Sequence, residues 1–124
     1  MSGLCLVAAG VTLSLPVQVF TLAWNHSVEK IRWEEDYRIA EGRLMLEGAR
    51  IRGTGAGMEP PAGAVLRDGV WHYRPGLPPL ERLRLARSPA VADYDLCFEG
   101  ACRALAHLAG SAENTPHVEL YPCP

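Results

Sequence analysis

The densest chemistry in the chain lies between positions 24 and 39, where WNHSVEKIRWEEDYRI carries His26, Glu29, Glu34, Glu35 and Asp36 around Trp33 and Tyr37. An imidazole with two carboxylates is enough for general acid–base catalysis or for a metal ion. Spacing restricts that use. On a strand, successive side chains point to opposite faces, so Glu34 and Glu35 cannot share a proton or an ion directly. His26 and Glu29 fall in a predicted turn and can approach each other there. If His26 folds across the hairpin toward Glu34 or Asp36, a small acidic pocket forms. The competing reading is a solvated strand face whose carboxylates pair with Lys30, Arg32 and Arg38; such pairs contribute about 0–1 kcal/mol and imply no function. Glu35 is separate, because it shares a face with Trp33 and Tyr37. A carboxylate buried there needs a partner, and Arg50 or Arg52 is expected to supply it. Ser27 beside His26 makes no catalytic triad, since neighbours on a strand point apart.

A second candidate is GTGAGMEPPAG at 53–63, with Gly55, Gly57, Met58 and Glu59. Successive glycines let backbone N–H groups converge on an anion. The run lacks the Lys-Ser/Thr and the following helix of a phosphate-binding loop, so a nucleotide site is not expected. The competing reading is a tightly turned surface loop.

The four cysteines are Cys5, Cys97, Cys102 and Cys123. Cys97 and Cys102 are symmetric about Glu99-Gly100, so a hairpin there sets them opposite each other at bridging distance. Cys5 and Cys123 lie near the two termini, which are often neighbours at a domain surface. The preferred pairing is 97 with 102 and 5 with 123. Reduced structural thiols and a zinc site are the alternatives. Only Cys97 and Cys102 have knuckle-like spacing, which argues against zinc, and no metal or other cofactor is assigned.

These residues must be positioned by some scaffold, and the bulk properties bound it. The chain has 124 residues, 48% hydrophobic and 21% charged, with a formal net charge of −2. That suits one folded domain over 1–124. No basic stripe exists to neutralise phosphates, and ERLRLAR at 81–87 is short and carries a glutamate, so nucleic acid is not an expected partner. The first 28 residues contain no Lys, Arg, Asp or Glu. They do not read as a signal peptide, which wants a positive leading region, nor as a membrane span, because Gly10, Ser14, Pro16 and Gln18 interrupt the apolar run. VTLSLPVQV alternates instead, with Val11, Leu13, Leu15, Val17 and Val19 on one side; Pro16 argues for an edge strand.

At Val19-Phe20 the alternation slips by one, as at a bulge or sharp bend. Phe20, Leu22 and Trp24 then lead a third strand. EKIRWEEDYRI is a fourth and RLMLEGARIRG a fifth, with Leu44, Leu46 and Ile51 inward and an irregularity at Gly48. Asp68-Gly69 and Glu99-Gly100 mark tight turns. LPPLERLRLARS is read as strand, 105–114 as a loop or short helix, and HVELYPCP as the last strand. Turn signals every eight to twelve residues predict an all-β fold: a small, single-domain antiparallel sandwich or barrel of about 7–9 short strands.

In WNHSVEKIRWEEDYRI, GTGAGMEPPAG and DYDLCFEGACRAL, over nearly its whole length, the chain resembles the bacterial family called domain of unknown function 1850. The resemblance implies no established activity. It implies companionship with TRAP-type transporters of the TAXI class, hence a partner among their membrane or solute-binding subunits and a cell-envelope location. Members often begin with an export or anchor segment, which is not visible here; on that ground a cytoplasmic location is the alternative. The positions carried over are His26, Ser27, Glu29, Trp33, Glu34, Glu35, Tyr37, Gly55, Gly57, Met58 and Glu59. The expected function is a non-enzymatic accessory or binding module, anchored through Trp33, Trp71, Tyr73 and Arg32. Ligand or metal binding through His26 and its carboxylates is the alternative, and hydrolysis by the same residues comes after it.

Overall fold

A computed structural model describes residues 3–25, 31–53 and 61–124. Within them the chain forms eleven strands and one short helix, more strands than the seven to nine expected. In chain order the strands are β1 (Leu4–Ala8), β2 (Val11–Leu15), β3 (Val19–Asn25), β4 (Arg32–Ala40), β5 (Arg43–Arg52), β6 (Val65–Arg67), β7 (Val70–Tyr73), β8 (Leu83–Ala86), β9 (Asp95–Phe98), β10 (Ala101–Ala104) and β11 (His117–Pro122); helix α1 spans Leu105–Ala109. One strand without any sign in the sequence is β6, whose three exposed residues carry no alternation.

One device builds four of the hairpins. Ala9-Gly10, Glu41-Gly42, Asp68-Gly69 and Glu99-Gly100 all have positive φ at both positions. Each pair is the whole loop between paired strands. Two consecutive left-handed residues make the type I′ turn, whose twist matches that of the flanking strands.

The strands form two antiparallel sheets, β2-β1-β11-β8 and β10-β9-β3-β4-β5-β7-β6, packed as a sandwich and not closed into a barrel. The predicted strand 11–19 breaks at Pro16 into β2 and β3, which belong to different sheets. β2 is an edge strand as expected, but Val11 and Val19 are 71% and 58% exposed, not inward. The slip after Val19 marks the change of sheet, and Phe20 and Leu22 are buried beyond it. Asp36 pairs with Gly48 and Tyr37 with Leu46, so Glu47 is the extra residue of a bulge.

The core joins Leu4, Leu6, Leu85, Val118 and Leu120 of the small sheet to Phe20, Leu22, Tyr37, Ile39, Leu44 and Leu96 of the large one, and Leu105 of α1 adds to it. Among the described residues no member comes from β6 or β7. Ile51 of β5, next to β7, is fully buried but is not a member of this cluster. Disulfides join Cys5 to Cys123 and Cys97 to Cys102, the preferred pairing. The first ties the chain end to β1, where the Cys123 N–H also donates to the Gly3 carbonyl at 2.8 Å. The second staples the β9–β10 hairpin at the edge of the large sheet. No helix among the described residues is long and apolar enough to cross a membrane.

Candidate functional site

β4 separates two kinds of chemistry, one on each face of the large sheet. Its even-numbered residues point outward with Arg50 and Arg52 of β5, which the register sets opposite Glu34 and Arg32. The Glu34 carboxylate accepts from Nε of Arg52 at 2.9 Å, Nε of Arg50 at 3.0 Å and Nε of Arg32 at 3.2 Å. Arg50 also grips Asp36 with both terminal nitrogens, one of them at 2.8 Å. Thr21 of β3 donates its hydroxyl to Asp36 at 2.7 Å, and Arg32 reaches Asp95 of β9 at 3.2 Å. The result is a belt across β9, β3, β4 and β5.

Burial alone would raise both carboxyl pKa values. The bonds from Arg50, Arg32 and Arg52 to Glu34, and from Arg50 and Thr21 to Asp36, outweigh it and hold both below the ordinary range. Glu34 is only 8% exposed, so this is not a simple wet face. Its groups satisfy one another, which is what a structural belt requires. Of the partners expected for these carboxylates, Arg32 pairs with Glu34, whereas Arg38 pairs with Glu47 at 3.1 Å.

The odd-numbered residues of β4 face inward and meet a different environment. Three rungs can be read from the register. Trp24, Trp33, Ile51 and Trp71 form the first; Leu22, Glu35, Ala49 and Tyr73 the second; Phe20, Tyr37 and Leu46 the third. Trp24 stacks on Trp33 with ring centroids 6.3 Å apart and packs at a tilt on Tyr94 at 6.1 Å. Phe20 stacks on Tyr37 at 5.3 Å.

Glu35 is the charged residue in the middle of this apolar surface, half-buried between Leu22 and Ala49. Arg50 and Arg52, its expected partners, are bound to Glu34 and Asp36 on the opposite face. The alternation that put Glu35 inward put those arginines outward, so the expected pair is geometrically excluded. Among the described residues Glu35 has the Tyr37 hydroxyl, donating at 2.9 Å; Lys30 lies outside them. Burial raises its pKa above the ordinary carboxylate value, and the Tyr37 bond offsets only part of that. Burial likewise raises the phenols of Tyr37, Tyr73 and Tyr94, and the charge of Glu35 adds to the rise in all three.

Of the other residues singled out by the sequence, His26, Ser27, Glu29, Gly55, Gly57, Met58 and Glu59 lie outside the described residues. The pocket that His26 would complete therefore lies there too. Among the described residues no three His, Cys, Asp or Glu side chains are close enough to hold a metal ion. Sequence reasoning left out Trp24 as the stacking partner of Trp33 and Tyr94 as a neighbour of Trp24. Trp24 could have been found by counting the β3–β4 register back from the turn; Tyr94 precedes β9 and has no periodic signal.

It also left out a buried clamp. All five donors of Arg87 are used: on both Asp93 oxygens at 3.0 and 3.1 Å, on the Thr115 carbonyl and hydroxyl at 3.0 and 2.7 Å, and on the Gly110 carbonyl at 2.9 Å. This ties β8 to the segments before β9 and β11. With every donor satisfied, it is a structural joint.

The fold and the site define a small disulfide-stapled β-sandwich with an aromatic inner surface around one carboxylate. The family model for a domain of unknown function (DUF1850) matches residues 20–105, and the chain belongs to that family. The match covers β3 to β10 and so contains both faces of β4. No curated protein and no solved structure matches the chain.

Proposed function

We propose that this domain is a non-enzymatic binding module that works in the cell envelope, as an accessory to a TRAP/TAXI-type transport system. The observation that supports the binding reading is the run of aromatic residues on one face of the large sheet. Trp24 stacks on Trp33 and packs on Tyr94, and Trp71 and Tyr73 follow at the same register on β7, side chains of the kind that anchor interfaces. Two disulfides in so small a chain support an oxidising compartment, since cytosolic proteins rarely keep such bonds. The transporter partner rests on the family resemblance alone.

The test is co-purification from membranes of the native host, with the TRAP/TAXI membrane and solute-binding subunits sought by mass spectrometry. Their recovery with the wild-type domain, and its loss in a Trp33→Ala, Trp71→Ala double variant that keeps its disulfides and circular dichroism, is the expected result. Absence of those subunits from the wild-type fraction overturns the partner. A second reading, recognition of a small ligand, is favoured by Glu35, a half-buried carboxylate to which no cation comes among the described residues.

A further inference from the structure

We infer that the cleft beside Gly48, on the outward face of the large sheet, binds a small multivalent oxyanion, a phosphate or a polycarboxylate, through Arg67, His72 and Arg74. The site is separate from Glu35, which strand alternation sends to the other face, and it stands whether or not a transporter subunit is the domain's partner.

The cleft exists because two strands part. β7 pairs with β5 from Arg52, opposite Val70, to Ala49, opposite Tyr73, and then leaves it. The chain meets β5 again at Leu80, which pairs with Leu44. Between these two contacts lies the Glu47 bulge. Bulges recur beside functional sites, where they end a run of pairing or re-aim a side chain. The space left here is about 760 Å³, lined by Gly48 and Arg50 of β5, Arg67 of β6, His72 of β7 and Arg74 just after it. That size suits a small-molecule ligand.

Gly48 points the same way. Glycine inside a strand weakens it, and one of its uses is to let a ligand or another backbone come close. Gly48 does not hold the positive φ that would call for glycine. Among the described residues, a Cβ at that position would meet one neighbour, the Tyr73 carbonyl oxygen, at an ordinary 3.9 Å. Neither its conformation nor these neighbours demand the missing side chain, and its effect is to keep the wall of the cleft bare.

The charge of the cleft is set by arginine. Two carboxylates also line it, but Arg50 grips Asp36 with both terminal nitrogens and Arg38 pairs with Glu47 at 3.1 Å. Arg67 and Arg74 add two positive charges to these matched pairs, and the register sets His72 next to Arg50. Guanidinium forks fit the paired oxygens of carboxylates and phosphates, whereas a metal cation would meet the same arginines as repulsion. Arg67 and Arg74 are exposed, so water screens them and the affinity is modest.

The experiment titrates the full chain with sodium phosphate and, separately, with trisodium citrate, against sodium chloride at matched ionic strength. Amide NMR shifts locate the binding and isothermal calorimetry gives its stoichiometry. The expected result is saturable binding of at least one probe at one site, with Kd of about 0.1–5 mM and the largest shifts at Gly48 and its neighbours in the cleft. Tighter binding of citrate assigns the site to carboxylates, and tighter binding of phosphate to phosphates. The Arg67→Gln, Arg74→Gln double variant should lose at least about tenfold in affinity. Gly48→Val, which fills the cleft, should do the same while keeping the disulfides and circular dichroism. If Gly48→Val fails to fold, the double variant, whose changes are both at exposed positions, decides alone. Saturation by neither probe, shifts that merely follow ionic strength, or unchanged affinity in the folded double variant overturns the inference.

Discussion

Replacing Arg50 by methionine tests whether the outward face of β4 is a structural belt. The substitution keeps most of the side-chain stem and removes three charge-assisted bonds, two to Asp36 and one to Glu34. Among the described residues Asp36 would retain the Thr21 hydroxyl as side-chain donor, while Glu34 would retain Arg32 and Arg52. Breaking a fully buried ion pair costs about 3–5 kcal/mol. Here the side chains of Arg50, Glu34 and Asp36 are 23%, 11% and 37% exposed, and two cations remain on Glu34. Solvent screening at the Asp36 end lowers the expected loss to about 2–3 kcal/mol at pH 7. Urea unfolding followed by circular dichroism measures it, and a double-mutant cycle with Asp36→Asn should give a coupling of about 1–2 kcal/mol.

The pH dependence supplies an independent check. Glu34 and Asp36 titrate below their ordinary values of 4.5 and 3.8. A depressed folded-state pKa contributes stability that is present above the unfolded value and lost as pH falls through the folded one. The gap between wild type and variant should therefore shrink as pH drops below about 4. A loss under about 0.5 kcal/mol at pH 7, or a gap that persists in acid, would refute the belt as a stabilising element.

Glu35→Gln should leave stability at pH 7 unchanged or raise it by about 0.5–1 kcal/mol, because burial of the Glu35 charge outweighs the Tyr37 bond. A raised folded-state pKa favours folding below the ordinary carboxylate value and loses that contribution as pH rises through the raised one, so the variant should also lack that falling limb in urea titrations at successive pH values. Removing the Cys5–Cys123 bridge by a double serine substitution should cost about 5 kcal/mol in the chain-entropy model, against about 2 kcal/mol for Cys97–Cys102, since the bridges span 118 and 5 residues; calorimetric unfolding compares them. Glu41→Asn should raise the unfolding free energy by about 0.5 kcal/mol, read as a higher urea midpoint at unchanged slope, because Glu41 holds φ of 54° in a turn that favours asparagine before glycine.

Much of the scaffold was legible because its rules are local. An acidic residue followed by glycine marked the turns at Asp68-Gly69 and Glu99-Gly100, and a hairpin centred on the second sets Cys97 opposite Cys102. Strict alternation through 31–39 put Glu34 and Glu35 on opposite faces. What failed depended on the order of strands in space. Nothing in VTLSLPVQV tells that Pro16 ends one sheet and Phe20 opens another. The burial of Arg87 follows from long-range contacts with Thr115 and Gly110, which no periodicity encodes. Pairing Glu35 with Arg50 or Arg52 overlooked the same parity that placed Glu35 inward, whereas the donor that does reach it is two residues along its own strand.

Glu35 is a half-buried carboxylate to which, among the described residues, the Tyr37 hydroxyl donates and no cation comes. Carbon-detected NMR titration of its side-chain carboxyl measures this directly. The expected result is a pKa above the ordinary glutamate value, rising further in Tyr37→Phe, where the one donated bond is removed. A midpoint at or below the ordinary value, or one indifferent to loss of the Tyr37 hydroxyl, would contradict it.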